Sequence, residues 1–201
     1  MARYRRPRAL SQRRDPTEPF GGESSARGLN HENHNCTATS AAMALDAASN
    51  GLLRKRGGDM RHKLPNPSTG ENPGVELSLG DAKTAMARFG YTLWVAGYPN
   101  ASPTTWAAMK QRRAEGRLLI VQGDSGDLHG ACSEGQDTGH AVVIHPDDGV
   151  SGYWLVGDPW CYTTGTNGLG KWKWVDRDDV WDFAQDLGFL FAYTKRLARI
   201  A

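Results

Sequence analysis

The sequence has few cysteines, no long apolar run and no acidic residue among its first 14 positions. The three cysteines, Cys36, Cys132 and Cys161, are too few and too uneven in number to predict a disulfide framework, so a reducing compartment is the expectation. No apolar stretch reaches the roughly 18 residues that a membrane-spanning helix requires. The N-terminal arginines are not followed by an apolar stretch, which predicts that there is no signal peptide.

Residues 1–28 are predicted to form an extended basic arm, because they contain prolines, paired glycines and serines and little that could be buried. Residues 1–14 hold six arginines and no acidic residue, so the net charge of +2 leaves about −4 for the remaining chain, which is not expected to bind nucleic acid. The arm is expected to bind an acidic partner in a protein assembly, and it is the one segment predicted to reach nucleic acid. The contact is expected through the six arginines of residues 1–14: Arg3, Arg5, Arg6, Arg8, Arg13 and Arg14.

Residues 29–201 are predicted to form one α+β domain, with helices packed on one side of an antiparallel sheet. The alanine-rich segment 38–49 has high helix propensity and is followed by Gly51 as a terminator. A capping-box pattern at Ser78 predicts a second helix, and residues 54–76 are expected to form a loop. Further helices are predicted over 103–115 and 176–185, and strands over 91–95, 118–121, 140–145, 153–156 and 189–194.

Cys36 stands where the first helix is predicted to begin. A cysteine is a nucleophile as its thiolate, and the free amides and partial positive charge at a helix N-terminus favour that anion. The small residues that follow would allow the helix to be buried beneath a site. The structural alternative for a single cysteine is a small core residue. A catalytic interpretation of Cys36 therefore requires a partner elsewhere in the chain.

A predicted hairpin brings a histidine and an aspartate onto one face of the sheet. His140 opens the first strand, and Asp158 follows the second on the same face. If the turn spans 147–151, the two residues lie directly opposite each other, so that the carboxylate could orient the imidazole. A slip of one residue would move Asp158 to the other face. Each residue alone also has a structural explanation, as a strand-end histidine and a turn-forming aspartate.

The three candidate residues lie in three short segments of the chain. These are Asn35-Cys36 at the head of a small-residue helix, Gly139-His140-Ala-Val-Val-Ile, and Val156-Gly-Asp158-Pro159. Together they resemble the C39-type papain-like cysteine peptidases, and the stretch from Trp174 to Trp181 is similar to the short helix that follows Asp-Pro in that family. The resemblance covers roughly residues 29–194. It implies a papain-like fold and a triad in which Cys36 is the nucleophile, His140 the base and Asp158 the residue that orients the base.

The resemblance also implies the rest of a peptidase site. The family has a glutamine six residues before the nucleophile, where its amide helps to bind the oxyanion; Asn30 holds that position here, with Asn33 and His34 as other donors. Trp160, in the loop that follows Asp158, is expected beside the cleft. Cleavage of a peptide or isopeptide bond by such a triad requires no metal or other cofactor.

By the same resemblance, small C39-like domains of this kind are expected among phages of actinobacteria. The resemblance therefore implies a virion or tail component that acts on cell-wall peptides, located in the virion or the cytoplasm. The main alternative is a catalytically weak or inactive structural protein, held in a virion assembly by its basic arm. An acyl transferase with the same triad is a third interpretation.

A zinc site is the remaining chemical alternative. Its ligands would be His31, His34 and Cys36, or His129 and Cys132. Neither set is completed by a second ligand pair at standard spacing, which disfavours this interpretation.

Overall fold

An antiparallel sheet of six strands forms the centre of the computed structural model, which describes residues 4–10, 35–61, 63–64, 77–96, 103–135, 139–147, 149–161 and 170–199. The strands are β1 (Trp94–Ala96), β2 (Arg117–Asp124), β3 (Gly139–His145), β4 (Tyr153–Gly157), β5 (Trp172–Asp176) and β6 (Phe191–Arg196). Their spatial order is β1-β6-β2-β3-β4-β5, with every neighbouring pair antiparallel. β2 and β3 therefore lie in the middle of the sheet.

Five α-helices flank this sheet in the described part of the chain. They are α1 (Cys36–Ala48), α2 (Gly57–Arg61), α3 (Leu79–Ala87), α4 (Pro103–Ala114) and α5 (Arg177–Gln185). The α+β class that the sequence predicts is confirmed by this arrangement. No helix among the described residues has both the length and the apolar character needed to cross a membrane.

Helices cover both faces of the sheet, so the prediction that they pack on one side is wrong. α1 and α3 share a core with Leu118 and Ile120 of β2. α4 and α5 share a second core with Leu119 and Val121, which point to the other face. The physical reason is the continuous apolar run in β2, because a strand that is apolar at every position must be covered on both sides.

α1 is buried along its length and carries Cys36 as its first residue. Its alanines allow close packing against β2, β3 and β6 while keeping a high helix propensity. The helix is followed by Asn50 and Gly51, which have positive φ values of 54° and 85°. Gly51 N–H donates to Asp46 O at 2.8 Å, a left-handed ending that favours glycine. The predicted helix and terminator are confirmed.

Two elements lie where the sequence does not predict them. α2 falls within the predicted loop 54–76, and β5 forms at the start of a stretch that the resemblance assigned to a helix. α5 then begins at Arg177, as the predicted helix 176–185 requires. Ser78 and Asp81 form the predicted capping box at the start of α3, with Ser78 N–H donating to Asp81 Oδ2 at 2.9 Å. For these elements, capping residues thus predicted where a helix begins more reliably than the composition of the segment did.

The described part of the N-terminal arm, residues 4–10, packs against the domain. Tyr4 and Leu10 are buried in the core that contains α1. The backbone of this segment is also held, since Trp172 Nε1 donates to Pro7 O at 3.0 Å. Residues 4–10 of the predicted arm thus lie on the domain, whereas residues 1–3 and 11–28 lie outside the described part of the chain.

Two arginines of this segment are paired with carboxylates of the same chain. Arg5 contacts the buried carboxylate of Asp46 in α1 at 3.3 Å. Arg6 contacts Asp147, in the turn after β3, at 2.8 Å. The charge of both arginines is thus matched within the domain, whereas Arg3, Arg13 and Arg14 lie outside the described residues.

Candidate active site

Cys36 lies at the N-terminus of α1 and is partly exposed to solvent. It is half-buried, while the residues that follow it in α1 are buried. Of the described cysteines, it is the one that forms no disulfide. Ser40, one turn along α1, donates from Oγ to Ala141 O at 3.1 Å and so fixes the helix against the start of β3. This contact brings the thiol beside the histidine of that strand.

His140 and Asp158 form a direct contact inside the domain. His140 Nε2 lies 2.8 Å from Asp158 Oδ1, and both side chains are almost completely buried. The structure thus brings together the histidine and the aspartate that the hairpin pattern predicts as a pair.

The register of that hairpin differs from the predicted one by two residues. Val143 pairs with Gly157 and Ile144 with Val156, so that position 158 lies opposite Val142 rather than His140. A shift of two keeps every side chain on its predicted face, because the side-chain period of a strand is two. The diagonal neighbour is still within reach of a long side chain such as histidine. The predicted contact survives although the predicted register is wrong.

The carboxylate of Asp158 accepts four hydrogen bonds. Oδ1 accepts from His140 and from Trp160 N–H, and Oδ2 accepts from the N–H groups of Cys132 and Ser133, all at 2.8–2.9 Å. Burial raises the pKa of Asp158, but the bond and charge of His140 and these backbone donors outweigh it and hold the pKa below its ordinary value. Asp158 is therefore an ionised group in a fixed orientation.

A disulfide joins the two loops that surround Asp158. Cys132 is bonded to Cys161, so the prediction that the cysteines stay reduced is wrong for this pair. Both half-cystines also contact the aspartate through their backbone, since Cys132 N–H donates to Oδ2 and Cys161 N–H donates to Asp158 O at 3.0 Å. The cross-link thus closes the shell of donors that orients Asp158.

The thiol and the imidazole have opposite pKa shifts. Burial raises the pKa of Cys36, but its hydrogen bond to His140, the charge of that ring, the Ala141 backbone and Thr37 together lower it below the ordinary value. Burial lowers the pKa of His140, but the bonds and charges of Asp158 and Cys36 raise it to about 10. Since Nε2 faces Asp158, Nδ1 is the ring nitrogen left for the thiol. Both shifts favour a thiolate–imidazolium pair over a neutral thiol beside a neutral ring.

These two shifts predict different pH profiles for alkylation and for hydrolysis. Alkylation of Cys36 by iodoacetamide, measured by mass spectrometry without reductant, should rise with a midpoint below the roughly 8.5 of an ordinary thiol and then stay high. Hydrolysis should rise over the same pH range as alkylation but fall again near pH 10, as His140 loses the proton that the leaving amine needs. An alkylation midpoint equal to that of the same protein unfolded in urea would contradict the ion pair.

The other predicted site residues have different outcomes. Trp160 is half-buried and adjoins the site through the bond from its N–H to Asp158. Asn30, the predicted oxyanion donor, and its alternatives Asn33 and His34 lie outside the described residues. The place of Trp160 beside a cleft and the role of Asn30 in the oxyanion site stay predictions.

Of the two predicted metal sets, the one with His129 and Cys132 loses its cysteine to the disulfide. Cys132, Asp158 and Cys161 are the group with ligand atoms close enough for a metal among the described residues, but the two sulfurs are joined to each other. His129 instead contacts Glu134 at 3.2 Å on the surface. The first predicted set, His31 and His34 with Cys36, includes two residues outside the described part of the chain.

Two polar residues beside Cys36 are missed by the sequence patterns. Gln122 donates from Nε2 to Thr37 Oγ1 at 3.1 Å and to Leu77 O at 3.2 Å, linking β2 to the residue after the thiol. Arg61 is completely buried and donates from Nε to Asn35 Oδ1 at 3.1 Å. In the sequence, Gln122 could have been noticed as an isolated amide side chain after the apolar run of β2. Arg61 lies in a predicted loop, and no sequence pattern pointed to it.

Comparison with known proteins identifies the architecture. No family model matches the sequence, and no curated protein matches it. A solved structure from Bacillus anthracis, classed as a C39-like peptidase, superposes with a TM-score of 0.55 at 12% identity, covering 83% of this chain and 91% of its own. The chain has a papain-like peptidase fold. The Pseudomonas avirulence protein AvrPphB also matches, with a TM-score of 0.38, 13% identity and coverage of 84% and 92%.

The papain-like fold agrees with the class expected from the sequence resemblance. At 12% identity the similarity concerns the backbone, and the role of each side chain has to be argued from its own contacts. In this chain those contacts place a free thiol, a histidine and an aspartate at the junction of α1, β3 and the end of β4.

Proposed function

We propose that the protein is a cysteine peptidase or amidase that cleaves a peptide or isopeptide bond through Cys36, His140 and Asp158. The observation that supports this most is the 2.8 Å contact between buried His140 and Asp158, with the free thiol of Cys36 at the start of a helix that Ser40 fixes to the same strand. Arranged in this order, the thiol is an activated nucleophile, the imidazole is its base, and the carboxylate orients the base.

The proposed reaction begins with the thiolate of Cys36. Its sulfur attacks the substrate carbonyl carbon, a C–S bond forms, and the carbonyl oxygen becomes an oxyanion. His140 donates its proton to the nitrogen of the leaving amine, the C–N bond breaks, and a thioester remains. His140 then takes a proton from water, whose oxygen attacks the thioester carbon; the C–S bond breaks, the acid product leaves, and the thiolate of Cys36 beside protonated His140 is regenerated. The backbone N–H of Cys36 and, as a proposal, Asn30 stabilise the oxyanion by on the order of 3 kcal/mol per donor.

The role proposed for Asp158 is orientation. Its Oδ1 holds Nε2 of His140, which leaves Nδ1 for the sulfur. Three backbone donors keep the carboxylate from rotating, because both of its oxygens are occupied. A carboxylate fixed in this way also stabilises the imidazolium that the reaction requires.

The substrates proposed from the resemblance are cell-wall peptides, with Trp160 lining the cleft. The similar Bacillus anthracis structure, classed as a peptidase, supports peptide cleavage in general. A role as a virion or tail component stays a prediction that the comparisons do not address. The structural-protein alternative depended on a free basic arm, and the intramolecular pairs of Arg5 and Arg6 weaken that support.

Trapping of the acyl-enzyme tests the proposed function. Protein mixed with a peptide library or with cell-wall peptides and quenched in acid should carry an acyl group on Cys36, detected by peptide mapping. Cleavage in ¹⁸O-water should place the label in the new carboxyl group, whereas an added amine captures the acyl group if the protein is a transferase. The Cys36→Ala variant should form no adduct. Equal cleavage by this variant, without an adduct on the wild-type protein, would overturn the proposal.

A further inference from the structure

Arg61 is a buried cation next to the residue that precedes the nucleophile. Its side chain is 0% exposed, which places it among the largest fully buried side chains of the chain. Burial of a guanidinium costs several kcal/mol unless partners compensate it. One such partner is Asn35, whose Oδ1 accepts from Arg61 Nε at 3.1 Å. Arg61 reaches it from α2, which packs on both α1 and α3.

Asn35 occupies the N-cap position of α1 without capping it. An asparagine at this position ordinarily accepts a hydrogen bond from an amide of the first helical turn. Asn35 makes no such bond, and its carbonyl oxygen instead faces Arg61. The backbone of α2 confines the same amide, since a Cβ on Gly57 would lie 2.8 Å from Asn35 Nδ2. The asparagine is therefore held away from the amides that begin at Cys36.

We propose that Arg61 is a positioning residue of the site: it holds the Asn35 side chain, and so leaves the first amides of α1 to the thiolate of Cys36 and to the oxyanion. This inference rests on the proposed function. A side chain that capped α1 would occupy an amide of the first turn and weaken the positive helix end that stabilises both anions. The charge of the guanidinium acts in the same direction, because Arg61 and the Cys36 sulfur attract each other. Substitution of Arg61 should therefore affect the thiol before any substrate binds.

The pH dependence of Cys36 alkylation tests this inference in the intact chain. Without reductant, Cys132 and Cys161 are blocked by their disulfide, so iodoacetamide reports on Cys36. In Arg61→Met we expect the midpoint of the alkylation curve to rise by about 0.5 to 1 pH unit. Arg54→Met is the matched control, because Arg54 is an exposed arginine of the preceding segment, and its midpoint should not move. A folded Arg61→Met protein with the wild-type midpoint would overturn the inference.

Two further variants separate the held asparagine from the charge. In Arg61→Met/Asn35→Ala no amide oxygen remains to cap α1, so part of the rise should be reversed; a midpoint equal to that of Arg61→Met would overturn the role of Asn35. If Arg61→Met does not fold, Arg61→Lys provides the test. Lysine keeps the charge but lacks the Nε donor, so its midpoint should also lie above the wild-type value, and an unchanged midpoint would overturn the inference.

Hydrolysis separates this inference from the proposed function. With a cleaved peptide, Arg61→Met should lower kcat by about tenfold with little change in KM, because the lost interactions act on the anions that form during the reaction. If no peptide is cleaved by the wild-type protein, the proposed function fails. The alkylation midpoints would still support or overturn the role of Arg61.

Discussion

Replacing His140 with alanine is expected to lower the rate of peptide hydrolysis by a factor on the order of 10⁴. The ring is the proton donor to the leaving amine, and its charge and hydrogen bond hold down the pKa of Cys36. Removing it also leaves the buried charge of Asp158 without its cationic partner. The rate should be measured as kcat/KM with a peptide that the wild-type protein cleaves, in variants whose folding is checked by circular dichroism.

His129→Ala is the matched control for this experiment. His129 is exposed and contacts Glu134 on the surface, so its loss should leave the rate within about twofold of the wild type. The midpoint of Cys36 alkylation should rise in His140→Ala and stay unchanged in His129→Ala. A folded His140→Ala protein that retains a tenth of the wild-type rate would exclude His140 as the base.

Loss of the Cys132–Cys161 disulfide has the second large expected effect, this time on stability. The cross-link spans 29 positions of sequence. In the chain-entropy treatment, closing a loop of this length stabilises the folded state by about 3.5 kcal/mol. The Cys132→Ser/Cys161→Ser variant should therefore unfold at a lower urea concentration, with its free energy of unfolding reduced by about this amount. Hydrolysis should decline as well, because the loops that donate to Asp158 are no longer tied together.

The control for the disulfide experiment is Cys36→Ser, which changes a cysteine outside the cross-link. Its free energy of unfolding should stay within about 1 kcal/mol of the wild type. Thiol titration of the unfolded wild-type protein should find one free thiol before reduction and three after it. Three thiols before reduction, or equal stability of the double-serine variant, would contradict the cross-link.

The sequence was sufficient to predict the pairing of His140 with Asp158, although it did not predict the register. Alternation along a strand determines the face of each residue, and an error of two in the turn leaves faces unchanged. The start of α1 at Cys36 also followed from local signals, namely alanine density and the Asn-Gly ending. Face and helix position were enough to bring three candidate residues together.

The features that the sequence did not predict depend on contacts between distant segments. Cys132 and Cys161 meet because both loops converge on Asp158, and no spacing rule pairs two cysteines out of three. Arg61 is buried because α2 packs on α1 and α3, whereas its neighbouring composition is that of a loop. Packing on both faces of the sheet likewise follows from which strands are central, which a single sequence does not specify.

The packing of residues 4–10 has a consequence for the order in which the protein folds. Pro7 is held by Trp172, which follows it by 165 residues, and Arg6 by Asp147, which follows it by 141. Contacts of such separation form late, because a large loop must close before they stabilise anything. During synthesis this early segment must therefore wait until β5 has left the ribosome. Until then residues 4–10, which include the partner of Asp46 in the helix that carries Cys36, lack the contacts that hold them in place, so the candidate nucleophile acquires its final surroundings only near the end of folding.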